Sequence, residues 1–253
     1  MSVPGIGTVK KCFRTVLRAL GYDIYRIEGP RLASPRTVHE QRFEYQSKFV
    51  EFDIHSGSRV LDIGSGGDPF PYATVLADRY LETSRHRWAQ FKSEDKPVVV
   101  CDIKYLPFKD KAFDYVYCSH VLEHVDDPIK AVREVQRVGQ RGYIETPHFM
   151  SDALFAWAEG MHKWFVQSIA QRLIFFEYDQ RRARGIKSNH WRNTIFGDHY
   201  HPLQDVFVDN VDIFVTMLPW EGSVSVTVYY CDGTVRSSEN ENTDSSLISR
   251  GCF

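Results

Sequence analysis

Leu61-Asp-Ile-Gly-Ser-Gly-Gly-Asp68 is the stretch on which the reading of this chain turns. The apolar run Val60-Leu-Asp-Ile63 reads as a buried strand, and a glycine cluster follows it at once. Glycines there let the backbone turn sharply and let a ligand approach the main chain closely. A dinucleotide-binding G-x-G-x-x-G loop would open a full helix under a pyrophosphate. Gly64 and Gly66 fit that pattern, but Pro69 stands at the third position with Phe70 and Pro71 behind it, so no such helix can start. Further runs of four to six residues follow: Ala73–Asp78, Val98–Cys101, Phe113–Cys118 and Gly142–Glu145. Their near-continuous apolar character suits strands buried on both faces of a parallel sheet. One clear helix lies before the last of them. Asp126 or Asp127 caps it, Pro128 takes its first turn, Ile129, Val132, Val135 and Val138 form its stripe, and Gly139 ends it. Strands alternating with crossovers predict an α/β fold, a Rossmann-like and mostly parallel sheet.

The glycine stretch resembles motif I of the class I S-adenosylmethionine-dependent methyltransferases, in which a strand ends in an acidic residue, a hydrophobe and G-x-G. Cys101-Asp-Ile-Lys-Tyr-Leu-Pro-Phe108 and Ala112-Phe-Asp-Tyr-Val-Tyr-Cys-Ser-His-Val-Leu-Glu-His-Val125 are similar to the third and fourth strand motifs of the type 11 group. Arg141-Gly-Tyr-Ile-Glu-Thr-Pro147 is similar to the fifth. The resemblance covers about Phe43 to Pro147, with every element in order. It implies S-adenosylmethionine as cofactor and a site transferred residue by residue. Gly64, Ser65 and Gly66 would cradle the methionine part, and Asp62 would orient its ammonium. Asp102 and Ile103 would flank the adenine; Ser119 and His120 would line the sulfonium side. Asp78 would hold the ribose hydroxyls, since one carboxylate accepts two hydrogen bonds. That assignment needs Ala73–Asp78 to be a strand and the first crossover helix to be nearly absent. The alternative is a helical face of Ala73, Leu76, Ala77, Tyr80 and Leu81, which would void it.

Methyl transfer to an alcohol needs a base near the acceptor. His148, just past the fifth strand, and Glu145, at its end, are the candidate catalytic residues; His162, His199 and His201 are further candidates. His120-Val-Leu-Glu-His124 has the H-x-x-E-H spacing of an inverted zinc-protease motif, but that motif needs a helix and this run straddles a strand end. Some ubiquinone-biosynthesis O-methyltransferases resemble the segment and bind a divalent metal near it. Here His120 replaces a carboxylate, which weakens a hard-cation site. Glu123 and His124 are read as capping or packing, and no metal is expected.

The chain divides into a helical cap (1–57), a cofactor-binding core (58–147), an aromatic-rich lid (148–205) and a final antiparallel hairpin (206–232). Residues 233–253 read as a disordered tail. The cap holds an amphipathic helix from Thr8 to Leu20 with a basic outer face, and a second helix near Val38 to Phe52. In the lid His162–Val166 and Arg172–Phe176 suggest a hairpin, and Arg181, Arg182, Arg184 and Lys187 form a basic run. Val211–Leu218 and Ser223–Tyr230 suggest the final hairpin, turned by Pro219-Trp-Glu-Gly222. The 253 residues are 43% hydrophobic and 25% charged, with net charge −2, an ordinary globular composition without the basic footprint of a nucleic-acid binder. Five scattered cysteines without a C-x-x-C pair, no long apolar run and no signal-peptide core point to the cytoplasm. The expected function is methyl transfer to oxygen or nitrogen of a small molecule, such as a sugar, polysaccharide precursor or nucleotide-linked acceptor. A cofactor-binding protein without transferase activity is the first alternative. An NAD-dependent oxidoreductase, which the Pro69 break opposes, is the second.

Overall fold

The computed structural model describes residues 42–82, 90–155, 162–178, 206–207 and 209–239, together with Thr15 and Ala19. The elements run α1 (Arg42–Phe49), β1 (Val60–Ile63), β2 (Val75–Asp78), β3 (Val98–Val100), β4 (Phe113–Ser119), α2 (Pro128–Val138) and β5 (Gly139–Pro147). They continue with α3 (Phe149–Phe155), β6 (Trp164–Ile169), β7 (Arg172–Glu177), α4 (Val211–Phe214), β8 (Val215–Glu221), β9 (Ser225–Tyr229) and β10 (Val235–Ser237). One sheet has the order β3-β2-β1-β4-β5-β8, parallel from β3 to β5, with β8 antiparallel at the edge. The expected Rossmann-like sheet is there. A second sheet, β10-β9-β7-β6, packs beside α2.

Alternation along the strands sorts their side chains between two cores. Leu61, Ile63, Val116, Cys118 and Ile144 face α2, whose Val132, Val135 and Val138 have no exposed surface. Each such side chain contributes about 1.5–3 kcal/mol by leaving water. Asp127 caps α2 by accepting the Lys130 N–H at 3.1 Å, and Pro128 stands in its first turn. Val60, Leu76, Tyr115, Tyr117 and Tyr143 face the other way, where Phe52 and Phe70 cover them. Phe70 stacks on Tyr117 with ring centroids 4.1 Å apart. A loop rather than a helix joins β1 to β2, so α1 and this aromatic layer cover the sheet where a first crossover helix would lie. Of the two readings of residues 73–81, the strand is the one that forms.

Two expectations are corrected. The arms of the supposed hairpin at 211–230 do not pair with each other: β8 joins β5, and β9 joins β7 and β10. The Gln136 side chain explains the diversion, because it takes the Val224 N–H at 2.7 Å and donates to the Val224 carbonyl at 3.0 Å, drawing the chain onto α2. The supposed tail begins with a strand: β10 pairs antiparallel with β9, and Ser238 Oγ accepts the Val226 N–H. Residues 240–253 lie outside the described residues, as do Arg181, Arg182, Arg184, Lys187, His199 and His201. The helix expected from Thr8 to Leu20 lies outside them too, apart from Thr15 and Ala19, and the second cap helix is α1. The hairpin expected in the lid forms as β6 and β7, and its Trp164 and Phe175 are buried in the α2 core. No helix among the described residues is long and apolar enough to cross a membrane.

Candidate functional site

The order β3-β2-β1-β4-β5 reverses between β1 and β4, and an open α/β sheet offers its ligand crevice outside the carboxyl ends at such a reversal. The glycine loop leaves β1 at that point. Gly64 and Gly66 have φ of +73° and +56°, conformations that glycine adopts without penalty. A Cβ on Gly64 would lie 2.2 Å from Val121 Cγ2 in the loop after β4, so space as well as φ demands glycine. The Gly64 N–H donates to the Ala77 carbonyl at 2.7 Å, which holds the loop against β2.

Four carboxylate-bearing or polar positions surround this loop. Asp62 is 1% exposed and accepts the Phe70 N–H at 2.8 Å. Burial lifts its carboxyl to about 7, against the Phe70 bond and the nearby positive charges of Arg42 and Lys96. Asp78, at the end of β2, accepts the Gly66 N–H at 3.2 Å and the Tyr80 N–H at 2.9 Å. Asp102 follows the neighbouring strand β3, accepts the Lys104 N–H and lies 3.3 Å from Arg79 Nη1. Ser65 is buried, and its hydroxyl has no hydrogen-bond partner among the described residues. Ile103 is buried in the α2 core.

A second cluster occupies the same sheet face at the ends of β4 and β5. Glu145 is fully buried and accepts from Tyr45 Oη (2.7 Å), Gln46 Nε2 (2.9 Å), Ser119 Oγ (3.0 Å) and Tyr143 Oη. His120 Nε2 lies 3.1 Å from it. Burial alone would raise the Glu145 carboxyl; the bond and charge of His120 and the tyrosine hydroxyls hold it at about 2. Burial would lower the His120 imidazolium, but Glu123 and Glu145 raise it to about 9. His120 also sits in the left-handed region at φ +56°, a strained backbone for a histidine. Glu145, a candidate catalytic residue from the sequence, therefore has its lone pairs committed and joins α1, β4 and β5 as a hub.

His148 stands apart from both clusters. It lines a cavity of about 380 Å³ together with Phe49, Val50, Ser168, Asp212, Val215, Thr216, Met217 and Pro219, and no glycine-loop residue reaches that cavity. Its Nδ1 accepts the Met150 N–H at 3.3 Å, so the neutral ring carries its proton on Nε2. Partial burial lowers its pKa, which favours that neutral ring.

Sequence reasoning missed Arg42, Tyr45 and Gln46. All three come from α1, and Tyr45 and Gln46 meet Glu145 across 100 and 99 residues of chain. The Arg42 guanidinium points at the glycine loop, with Nε 4.0 Å from Asp68, and that Nε has no hydrogen-bond partner among the described residues. Burial works against its charge, yet Tyr117, Tyr45, Glu145 and Asp68 keep it protonated. A partly buried guanidinium with an unsatisfied Nε, set beside Asp68 at the end of the glycine stretch, suits the carboxylate of an amino-acid ligand. No local sequence signal marks it, beyond its place on an expected helix.

Comparison with known proteins bears on this region. Residues 61–144 match the family model described as a methyltransferase domain, type 11. An uncharacterised protein of Methanocaldococcus jannaschii is 39% identical over 89 residues, which are 35% of this chain and 39% of that protein. The chain thus spans about two fifths of the length of the curated relative it matches. Among solved structures, it is similar to a chain of the complex that holds the Haloferax volcanii Trm112 methyltransferase activator. That match has 16% identity and a TM-score of 0.40, and covers 53% of this chain and 75% of the other. A SAM-dependent methyltransferase of Aquifex aeolicus has 21% identity and a TM-score of 0.33, with 46% and 73% covered. Residues 61–144, from β1 into β5, thus match the type 11 methyltransferase domain, and the methyl donor that this match indicates is S-adenosylmethionine.

Proposed function

We propose that the chain binds S-adenosylmethionine outside β1 and β4 and transfers its methyl group to an oxygen or nitrogen of a small molecule. The observation that carries this reading is the polar set around the glycine loop at the sheet's reversal point: Arg42, Asp62, Ser65, Asp78 and Asp102 around Gly64 and Gly66. In it the Arg42 guanidinium takes the cofactor's carboxylate, and Asp62 takes its ammonium. Asp78 exchanges the Gly66 and Tyr80 amides for the ribose hydroxyls, and Asp102 and Ile103 border the adenine. Ser119 and His120 border the sulfonium, held there by Glu145. When bound, the cofactor supplies a methyl group on a positive sulfur, open to in-line displacement, and alignment of the acceptor accounts for much of the rate.

His148 is the group we assign to the acceptor. With its proton on Nε2 it holds the acceptor by donation into the cavity along β8. The proton that the acceptor's oxygen or nitrogen loses on methylation passes to solvent water, since neither His148 nor Glu145 has a lone pair free to take it. Glu145 is a positioning residue. Sugars, polysaccharide precursors and nucleotide-linked sugars are the first acceptors to assay, on the strength of the type 11 resemblance, in a cytoplasmic setting. Methyl-labelled donor incubated with the full chain and such a panel tests the proposal. Label transferred to an acceptor, and reduced at least tenfold in His148→Ala with cofactor binding intact, supports it. Donor binding without transfer to any acceptor favours the second reading, a cofactor-binding protein; that reading draws on the committed state of Glu145, which leaves this end of β5 without a base.

A further inference from the structure

The His120-Val-Leu-Glu-His124 run does not present one helical face, because only Leu122–His124 is helical, as a 3-10 turn. His120 is drawn into the Glu145 carboxylate. A different histidine takes its place. The Lys163 N–H donates to the Glu123 carbonyl at 2.8 Å, which ties the segment before β6 to this turn. That contact sets His162 against His124, with ring centroids 4.8 Å apart. Glu123, His124 and His162 each offer one ligand atom, and these atoms all lie within 4.8 Å of one another.

Two independent observations point to a cation among them. Glu123 is 1% exposed, and neither of its carboxylate oxygens has a hydrogen-bond partner among the described residues. Both nearby imidazoles face one oxygen, His120 Nδ1 at 3.5 Å and His124 Nε2 at 3.7 Å from Oε1, so one long, weak contact at most reaches that oxygen and none among the described residues reaches Oε2. A buried carboxylate left this way is costly unless something else satisfies it. Behind His162, Asp152 Oδ1 lies 2.7 Å from Nδ1, and both residues are buried. A carboxylate on one ring nitrogen fixes the imidazole and frees the other nitrogen, the usual support of a metal-ligating histidine.

We propose that Glu123, His124 and His162 bind one divalent transition-metal ion of the zinc class, with Asp152 orienting His162. Two imidazoles and one carboxylate suit such an ion and not the all-oxygen shell of magnesium or calcium. Tetrahedral ligation at about 2.0–2.1 Å spaces ligand atoms about 3.4 Å apart, so a pair at the 4.8 Å limit closes by about 1.4 Å on loading and closer pairs by less. The fourth position is left for water, and the partly exposed His124 provides the way in. His162 and Asp152 lie beyond residue 144, so the site does not follow from membership of the methyltransferase domain. Its role is to clasp the loop after β4 to the segment before β6.

Equilibrium dialysis of the full chain, stripped with a chelator and then exposed to Zn²⁺ or Mg²⁺ without any methyl donor, tests the site separately from the proposed activity. The expected result is one Zn²⁺ per chain at micromolar concentration and no Mg²⁺. Glu123→Gln and His162→Ala lower the Zn²⁺ affinity at least tenfold, and Asp152→Asn lowers it about 10–100-fold. Circular dichroism establishes that each variant is folded. Should a variant unfold, Co²⁺ loading of the unaltered chain substitutes, with visible bands of four-coordinate nitrogen and oxygen ligation expected. No Zn²⁺ on the stripped chain, undiminished Zn²⁺ on folded Glu123→Gln and His162→Ala, or no such Co²⁺ bands would overturn the proposal.

Discussion

Asp62 is held beneath the glycine loop with one backbone partner, and burial places its carboxyl at about 7. Its folded pKa is raised above the unfolded value of 3.8, so its contribution to stability is fully present below about pH 4 and is lost as pH rises through 7. A cofactor ammonium set against it reverses that preference by favouring the carboxylate. Binding of S-adenosylhomocysteine should therefore release close to one proton at pH 6 and none at pH 8, with affinity rising up to about tenfold per pH unit below 7. Calorimetry in buffers of different ionisation enthalpy measures this directly. Asp62→Asn should bind more weakly and release no proton; equal proton release by the variant would remove Asp62 from the cofactor site. At this scale the sequence was informative where the chain is local. Asp62, Gly64, Ser65, Gly66 and Asp78 lie within one turn of β1 and β2, and the structure gathers them. Arg42 was not legible as a site residue, and His162 was legible only as a further candidate base and not as a metal ligand, because the contacts that give them their proposed roles are made by the fold, from α1 and from the segment before β6.

Helix α2 shows how far local rules reach. Its cap, its first-turn proline and its buried valine stripe are all readable from Asp127 to Val138, and the helix forms as they require. Asp127→Ala removes the side-chain acceptor for the Lys130 N–H and should destabilise the chain by about 1 kcal/mol, without altering cofactor affinity. Chemical denaturation checks this; a change below about 0.3 kcal/mol would mean that the cap is redundant. Strands β8 and β9 mark the limit. Period-2 alternation identifies both as strands, yet alternation carries no information about partners. Their separation into two sheets depends on Gln136, on a helix 88 residues before Val224, holding the Val224 backbone. The same holds for β10, whose Val235-Arg-Ser237 is too short and polar to read as a strand until β9 is there to pair with it.

For the whole molecule, the sheet brings the ends of β1, β2 and β3 under one glycine loop and places Ser119, His120 and Glu145 on the same face beyond the reversal point. That juxtaposition was foreseeable, since an ordered series of strand motifs implies it. The burial of Glu145 was not, because the groups that saturate it come mostly from other elements. Nor was the separation of His148, whose cavity is built by α1, α4, β6 and β8. The measurement that bears most directly on the central claim is thermal unfolding of the full chain with S-adenosylhomocysteine, S-adenosylmethionine or NAD, repeated on Asp78→Ala and Gly66→Val. Ligand at a hundred times its dissociation constant adds about 2.7 kcal/mol, which raises the midpoint by about 5–10 °C for a chain of this size. The account predicts that rise with the two sulfur compounds, none with NAD, and none in either variant. An unchanged midpoint with both sulfur compounds at millimolar concentration, or an equal rise in both folded variants, would contradict it.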